Sequence, residues 1–150
     1  MGRILIIEDD GAIANKLLEK LSKKRHNVKC AYSYASAVGL WNEAEKKGEK
    51  FDCIIFDLNI CPNGLEDAEI DNYFPIHGIL FLMRICKEKT PEEVKDIWNS
   101  TIVFSAYIDR LRDRKDEFEH FVLLKLVSKQ ENVALSNLLN IVNEKLTNNK

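Results

Sequence analysis

The chain has 150 residues, 45% of them apolar and 31% charged, with a formal net charge of −2. This length fits one domain able to bury a real core, and the charge balance excludes the strongly basic surface of a nucleic-acid binder. No apolar run approaches the ~20 residues that span a bilayer, and no signal-peptide pattern precedes the first apolar segment, so a cytoplasmic protein without a membrane segment is expected.

Arg3-Ile-Leu-Ile-Ile7 is a short, β-branched apolar run that reads as a strand buried on both faces. It stops at Glu8-Asp9-Asp10-Gly11. A helical pattern follows, with Ile13, Leu17, Leu18 and Leu21 on one face. Val28 to Ser33 is a weaker strand, and Ala37, Val38, Leu40, Trp41 and Ala44 mark a second helix that closes near Gly48. Phe51 to Phe56 is a third strand ending on Asp57. Ile60 to His77 reads as a long, acidic, irregular loop, and Gly78 to Lys89 as a helix. Thr90-Pro91-Glu92-Glu93 is a helix start with a capping box, which predicts a short extra helix to about Trp98. Thr101 to Phe104 is the fourth strand and Ile108 to Glu119 a charged helix. Phe121-Val-Leu-Leu124 is the fifth strand, and a last helix spans about Lys129 to Leu146.

Strands alternating with helices predict a parallel sheet covered on both faces, joined by right-handed crossovers. The whole of 1–150 is read as one domain with no output domain. Cys30, Cys53, Cys61 and Cys86 form no Cys-x-x-Cys pair, and His26, His77 and His120 are scattered, so no zinc site is expected. His77 and His120 read as surface or loop residues. The clusters Lys23-Lys24-Arg25 and Arg110 to Lys115 read as solvated helix faces.

Polar residues recur where the strands end: Glu8-Asp9-Asp10, Asp57, Ser105, and Lys125 directly after the apolar run 121–124. In open α/β sheets the carboxyl edge is where ligands bind. Clustered carboxylates repel one another unless a cation compensates them, and an all-oxygen donor set favours Mg²⁺. An aspartate there can act as a nucleophile towards phosphorus and form an acyl phosphate.

At these segments (Arg3 to Asp10, Phe51 to Leu58, Thr101 to Tyr107 and Phe121 to Lys125) the sequence resembles the response-regulator receiver family. The resemblance runs through nearly the whole chain. It implies a flavodoxin-like, doubly wound, five-stranded parallel sheet of order 2-1-3-4-5. It also implies Asp57 as phosphoacceptor, with Asp9, Glu8 and the backbone carbonyl of Asn59 holding Mg²⁺. Ser105 is then the switch hydroxyl and Lys125 the phosphate-sensing lysine. Asn59 and Tyr107 match positions that tune the lifetime of the phosphoryl group. The family usually carries proline after the lysine, where Leu126 stands here, and an aromatic three residues before it, where Val122 stands.

The implied function is a stand-alone phosphorelay switch in a two-component system. A sensor histidine kinase or phosphotransfer protein would supply the phosphoryl group, and the output partner is not identified. No enzymatic turnover is expected beyond self-catalysed phosphorylation and dephosphorylation. Residues Tyr107 to Glu119 are the candidate output surface. The competing reading is a receiver fold that no longer switches and serves as a phosphorylation-independent interaction module. A Mg²⁺ phosphohydrolase fits less well, because Asp57-Leu-Asn59 lacks a second acid.

Overall fold

The computed structural model describes residues 2–148. In chain order the elements are β1 (Arg3–Ile7), α1 (Gly11–Ser22), β2 (Asn27–Ala31), α2 (Tyr34–Lys46), β3 (Cys53–Phe56), α3 (Asp67–Tyr73), α4 (Ile79–Ile85), α5 (Pro91–Asn99), β4 (Thr101–Ser105), α6 (Ile108–Asp113), β5 (Lys125–Ser128) and α7 (Ala134–Asn148). Short 3-10 turns at Lys115–Glu117 and Phe121–Leu123 lie between α6 and β5. The five strands form one sheet of order β2-β1-β3-β4-β5, with every pairing parallel, as expected.

The period-two alternation of the strands divides the core into two layers. Ile4, Ile6, Cys53, Ile55, Ile102, Phe104 and Val127 face α1 and α7, where they meet Leu17, Leu21, Leu138 and Val142. Leu5, Ile7, Ile54, Phe56 and Val103 face the opposite layer, with Trp41 of α2, Phe81 of α4, Trp98 of α5 and Leu111 of α6. β1, β3 and β4 are covered on both sides, which is why they read as continuous apolar runs. The expected capping box at α5 is present: Thr90 Oγ1 accepts from Glu93 N at 3.2 Å, and Glu93 Oε1 accepts from Thr90 N at 3.1 Å.

The fifth strand is not where the sequence suggested. Phe121–Leu123 forms a 3-10 turn, with Leu123 and Phe121 packed against the α2–α5 layer and Val122 86% exposed. The strand is Lys125–Ser128, paired from Ile102↔Lys125 to Ser105↔Ser128. An edge strand is covered less than a central one, and burial varies along this one: Lys125 is exposed, Leu126 and Ser128 are half-buried and Val127 is buried. The more apolar run before it is a packing turn that has the composition of a central strand without its pairing. α7 accordingly starts at Ala134 rather than near Lys129. The charged helix stops at Asp113 instead of running to Glu119.

The segment after β3 is also more ordered than an irregular loop. It contains α3, and its carbonyls satisfy backbone donors at the start of α2: Tyr34 N bonds Cys61 O at 3.0 Å and Ala35 N bonds Asn63 O at 2.8 Å. Free N–H groups at a helix start need such partners. Arg114 holds the other end, donating to Asn72 O at 2.8 Å with its guanidinium 4.8 Å from the Tyr73 ring centroid. His77, expected at the surface, is 2% exposed.

Candidate functional site

The backbone ladders continue one step beyond the ends of the strands and so fix the residues of the rim. Glu8 N bonds Ala31 O at 3.0 Å, and Asp57 N bonds Ile7 O at 3.0 Å. Lys129 N bonds Ser105 O at 3.1 Å. Glu8, Asp57 and Lys129 thereby arrive at the same carboxyl edge on three different strands. Asp10 is engaged elsewhere, accepting from Ala12 N at 3.0 Å and Ile13 N at 3.3 Å as the N-cap of α1.

Carboxylate oxygens of Glu8, Asp9 and Asp57 lie within 4.8 Å of one another. Glu8 is 3% exposed and Asp57 9%, whereas Asp9 faces solvent. Lys129 Nζ donates to Asp57 Oδ2 at 2.9 Å and to Glu8 Oε1. Burial pushes the Glu8 carboxyl up to about 7; the Lys129 hydrogen bond opposes the rise and the neighbouring Asp57 charge adds to it. Burial pulls the Lys129 ammonium down, but its bonds to Glu8 and Asp57 outweigh that and leave it above its usual value.

The expected lysine is thus corrected. Lys125 sits at the amino end of β5, exposed, opposite Ile102. Lys129 fills the place beside Asp57. The displacement of four residues, at ~3.3 Å each, is about 13 Å along the strand. The two positions flagged relative to the lysine move with it: Leu126, not Val122, stands three residues before, and Gln130, not Leu126, follows. The end of β5, Leu126-Val-Ser128, runs directly into Lys129, and that is the signal the sequence offers. The more apolar segment upstream outweighed it.

Two further expected residues are at the rim. Asn59 N donates to Asp57 Oδ1 at 3.3 Å, which sets the turn that leads away from β3. Ser105 is fully buried, and its Oγ accepts from Tyr107 N at 3.2 Å. That bond uses a lone pair and leaves the hydroxyl hydrogen free to donate. Gly78, which the sequence marks only as a helix start, is a site residue in the steric sense. A Cβ there would lie 2.4 Å from Asp57 O and 2.8 Å from Leu58 O, so only glycine lets α4 approach the chain behind Asp57.

The donor set fits a divalent cation. Among the described residues Glu8 Oε2 is buried without a hydrogen-bond partner, a costly state that a cation at the acidic cluster relieves. Three carboxylates against one ammonium leave a formal charge of about −2 if all are ionised, and oxygen-only donors suit Mg²⁺.

No protein-family model matches the chain, and no curated protein sequence matches it. Solved structures do. The non-phosphorylated HemR receiver domain of Leptospira biflexa superposes with a TM-score of 0.63 at 19% identity, covering 97% of this chain and 94% of that one. The receiver domain of a Francisella response regulator gives 0.63 at 18% identity and covers 100% of both chains. The Thermotoga maritima response regulator TrrA, solved in complex with Mg(2+)-BeF, gives 0.61 at 21% identity, covering 97% and 99%. With sheet order 2-1-3-4-5 and near-complete coverage of such structures, the chain has the fold of response-regulator receiver domains.

Proposed function

We propose that this chain is a receiver domain that accepts a phosphoryl group on Asp57 in a Mg²⁺-dependent reaction. The observation that carries the proposal is the convergence of Glu8, Asp9 and Asp57 with the Lys129 ammonium at the carboxyl edge of a receiver fold. The donor would be the phosphohistidine of a sensor kinase or phosphotransfer protein. An Asp57 carboxylate oxygen attacks phosphorus, the P–N bond to the donor imidazole breaks, and an acyl phosphate forms. Its hydrolysis returns the free carboxylate and phosphate.

Each side chain has a distinct part. Lys129 holds one Asp57 oxygen and, once the phosphoryl group is attached, offers its charge to the phosphoryl oxygens. Ser105 directs its free O–H to the same oxygens, which shifts the Tyr107 turn at the start of α6. Glu8, Asp9, Asp57 and the Asn59 carbonyl would hold Mg²⁺, which supplies charge neutralisation for the incoming phosphoryl group. Residues Tyr107 to Glu119 would present the change to an output partner. This reading locates the domain in the cytoplasm. Free thiols at Cys30, Cys53, Cys61 and Cys86 fit a reducing compartment. Among the described residues no helix is long and apolar enough to cross a membrane.

A second reading has a specific observation behind it. Leu126, three residues before Lys129, offers no aromatic ring to relay a switch, which suits a module that binds partners without phosphorylation. The deciding experiment is acetyl-phosphate labelling of the wild type and Asp57→Asn, with Mg²⁺ or with EDTA. Metal-dependent incorporation in the wild type alone supports phosphoacceptance. Equal labelling of both proteins, or none of either, refutes it.

A further inference from the structure

The segment between β3 and α4 returns to the site through two consecutive residues, His77 and Gly78. His77 Nε2 lies 2.6 Å from Ile60 O, a residue seventeen positions earlier. A carbonyl can only accept, so Nε2 carries the hydrogen and donates. Gly78 N donates to Leu58 O at 2.6 Å, and its missing Cβ leaves room for the Asp57 carbonyl. Leu58 and Ile60 are thus both gripped by the same returning segment, immediately after Asp57.

The imidazole is deeply placed. It is 2% exposed, and the Phe74 ring stacks on it at 5.9 Å with an interplanar angle of 8°. Its Nδ1 is buried with no hydrogen-bond partner among the described residues. An orphaned buried polar atom is a cost. An aliphatic side chain would fill the same volume without it, so the ring's contribution is the bond at Nε2. That bond holds the Ile60 carbonyl, and with the Gly78 bond it spans the Leu58–Asn59 stretch.

We infer that His77 is the positioning residue of the turn after Asp57. Its Nε2–H pins Ile60 and thereby fixes the Asn59 carbonyl in register with the acidic cluster. The inference rests on the metal-binding proposal above for its purpose, though not for its geometry. The segment between β3 and α4 then serves to deliver a hydrogen-bond donor that braces the turn next to the phosphoacceptor.

The test uses the full chain, without metal and then with Mg²⁺. Long-range ¹H–¹⁵N spectra of the metal-free wild type are expected to show the Nε2–H tautomer of His77. Mg²⁺ titration by calorimetry then compares the wild type, H77L and H77Q. Residues that orient ligands typically change metal affinity by about 10- to 100-fold when removed, and H77L is expected to lose affinity in that range. H77Q carries an amide N–H able to reach Ile60 O and is expected to recover most of it. An Nδ1–H tautomer in the wild type overturns the proposal even if the variants do not fold. So does a folded H77L with wild-type affinity. If the wild type itself takes up no Mg²⁺, the function proposed above falls. His77 is then judged on metal-free spectra, where unchanged Leu58, Asn59 and Ile60 amide resonances in H77L would overturn its positioning role.

Discussion

Replacing Lys129 with methionine removes the only ammonium described beside Glu8 and Asp57 and keeps most of the side-chain volume. Its Nζ donates to Asp57 Oδ2 at 2.9 Å and to Glu8 Oε1, and the lysine side chain is 16% exposed. Charge-assisted bonds contribute roughly 1.5–3 kcal/mol each. Breaking a buried pair by deleting one partner costs about 3–5 kcal/mol, because the remaining charge is left uncompensated. Glu8 relieves part of this by taking up a proton, since burial already pushes its carboxyl up to about 7. The low end of the range is therefore expected, about 3 kcal/mol in EDTA. At ~2–4 °C per kcal/mol for a chain of this length, the melting temperature should drop by about 10 °C. Mg²⁺ should restore part of the loss, because a cation bound to the folded state stabilises it by mass action. Lys125→Met is the control: an exposed position at the far end of β5, expected to change stability by no more than ~0.5 kcal/mol. Urea denaturation of both variants, with and without Mg²⁺, checks the assignment. A large loss in Lys125→Met beside an unaffected Lys129→Met would refute the placement of β5 and the charge argument together.

Gly78→Ala forces a methyl group against the carbonyls of Asp57 and Leu58. Overpacking of this kind costs about 1–3 kcal/mol, and equilibrium unfolding should show it together with shifted Asp57 and Leu58 resonances. Arg114→Ala removes the bond to Asn72 O and the contact with the Tyr73 ring. Amide exchange should then rise in 67–73 while β1 and β3 stay protected; uniform loss of protection would contradict the local role. Thr90→Ala deletes the N-cap of α5 and should cost about 1 kcal/mol, read from the denaturation midpoint. His26 Nδ1 accepts from Gly2 N at 3.1 Å, and burial, the N-terminal charge and Lys24 lower its pKa from 6.5. A histidine lowered on folding contributes stability above its unfolded value, and the contribution disappears as pH falls through the folded value. Stability should therefore decline below about pH 6.5, and less so in His26→Gln. A His26 titration midpoint above 6.5 by NMR would reverse the sign.

The central sheet was legible in the sequence because β1, β3 and β4 are buried on both faces and nothing competes with burial in setting their composition. Glu8, Asp9, Asp57 and Ser105 were legible for the same reason: each ends or follows a run that can only be a central strand. β5 lacks that protection, so its composition is shared between core and solvent, and a neighbouring apolar turn imitated a strand. That imitation displaces the expected lysine by four residues and hides Lys129. His77 was missed for another reason. A histidine within a polar segment gives no periodic signal, and only the return of the chain onto Ile60 shows what it holds. The order of the 60–77 segment likewise depends on partners distant in sequence, at Tyr34, Ala35 and Arg114, which a linear reading does not connect.

Three of the charged groups at the rim differ in how firmly the sheet secures them. Glu8 and Asp57 extend strands that have neighbours on both sides, whereas Lys129 extends β5, which has one. An outermost strand frays first and presents open backbone groups to other chains. The balance of charge around Asp57 is therefore set from the margin of the molecule: peeling β5 carries the cation off and leaves the anions in place, and any protein that clasps that margin holds the cation down.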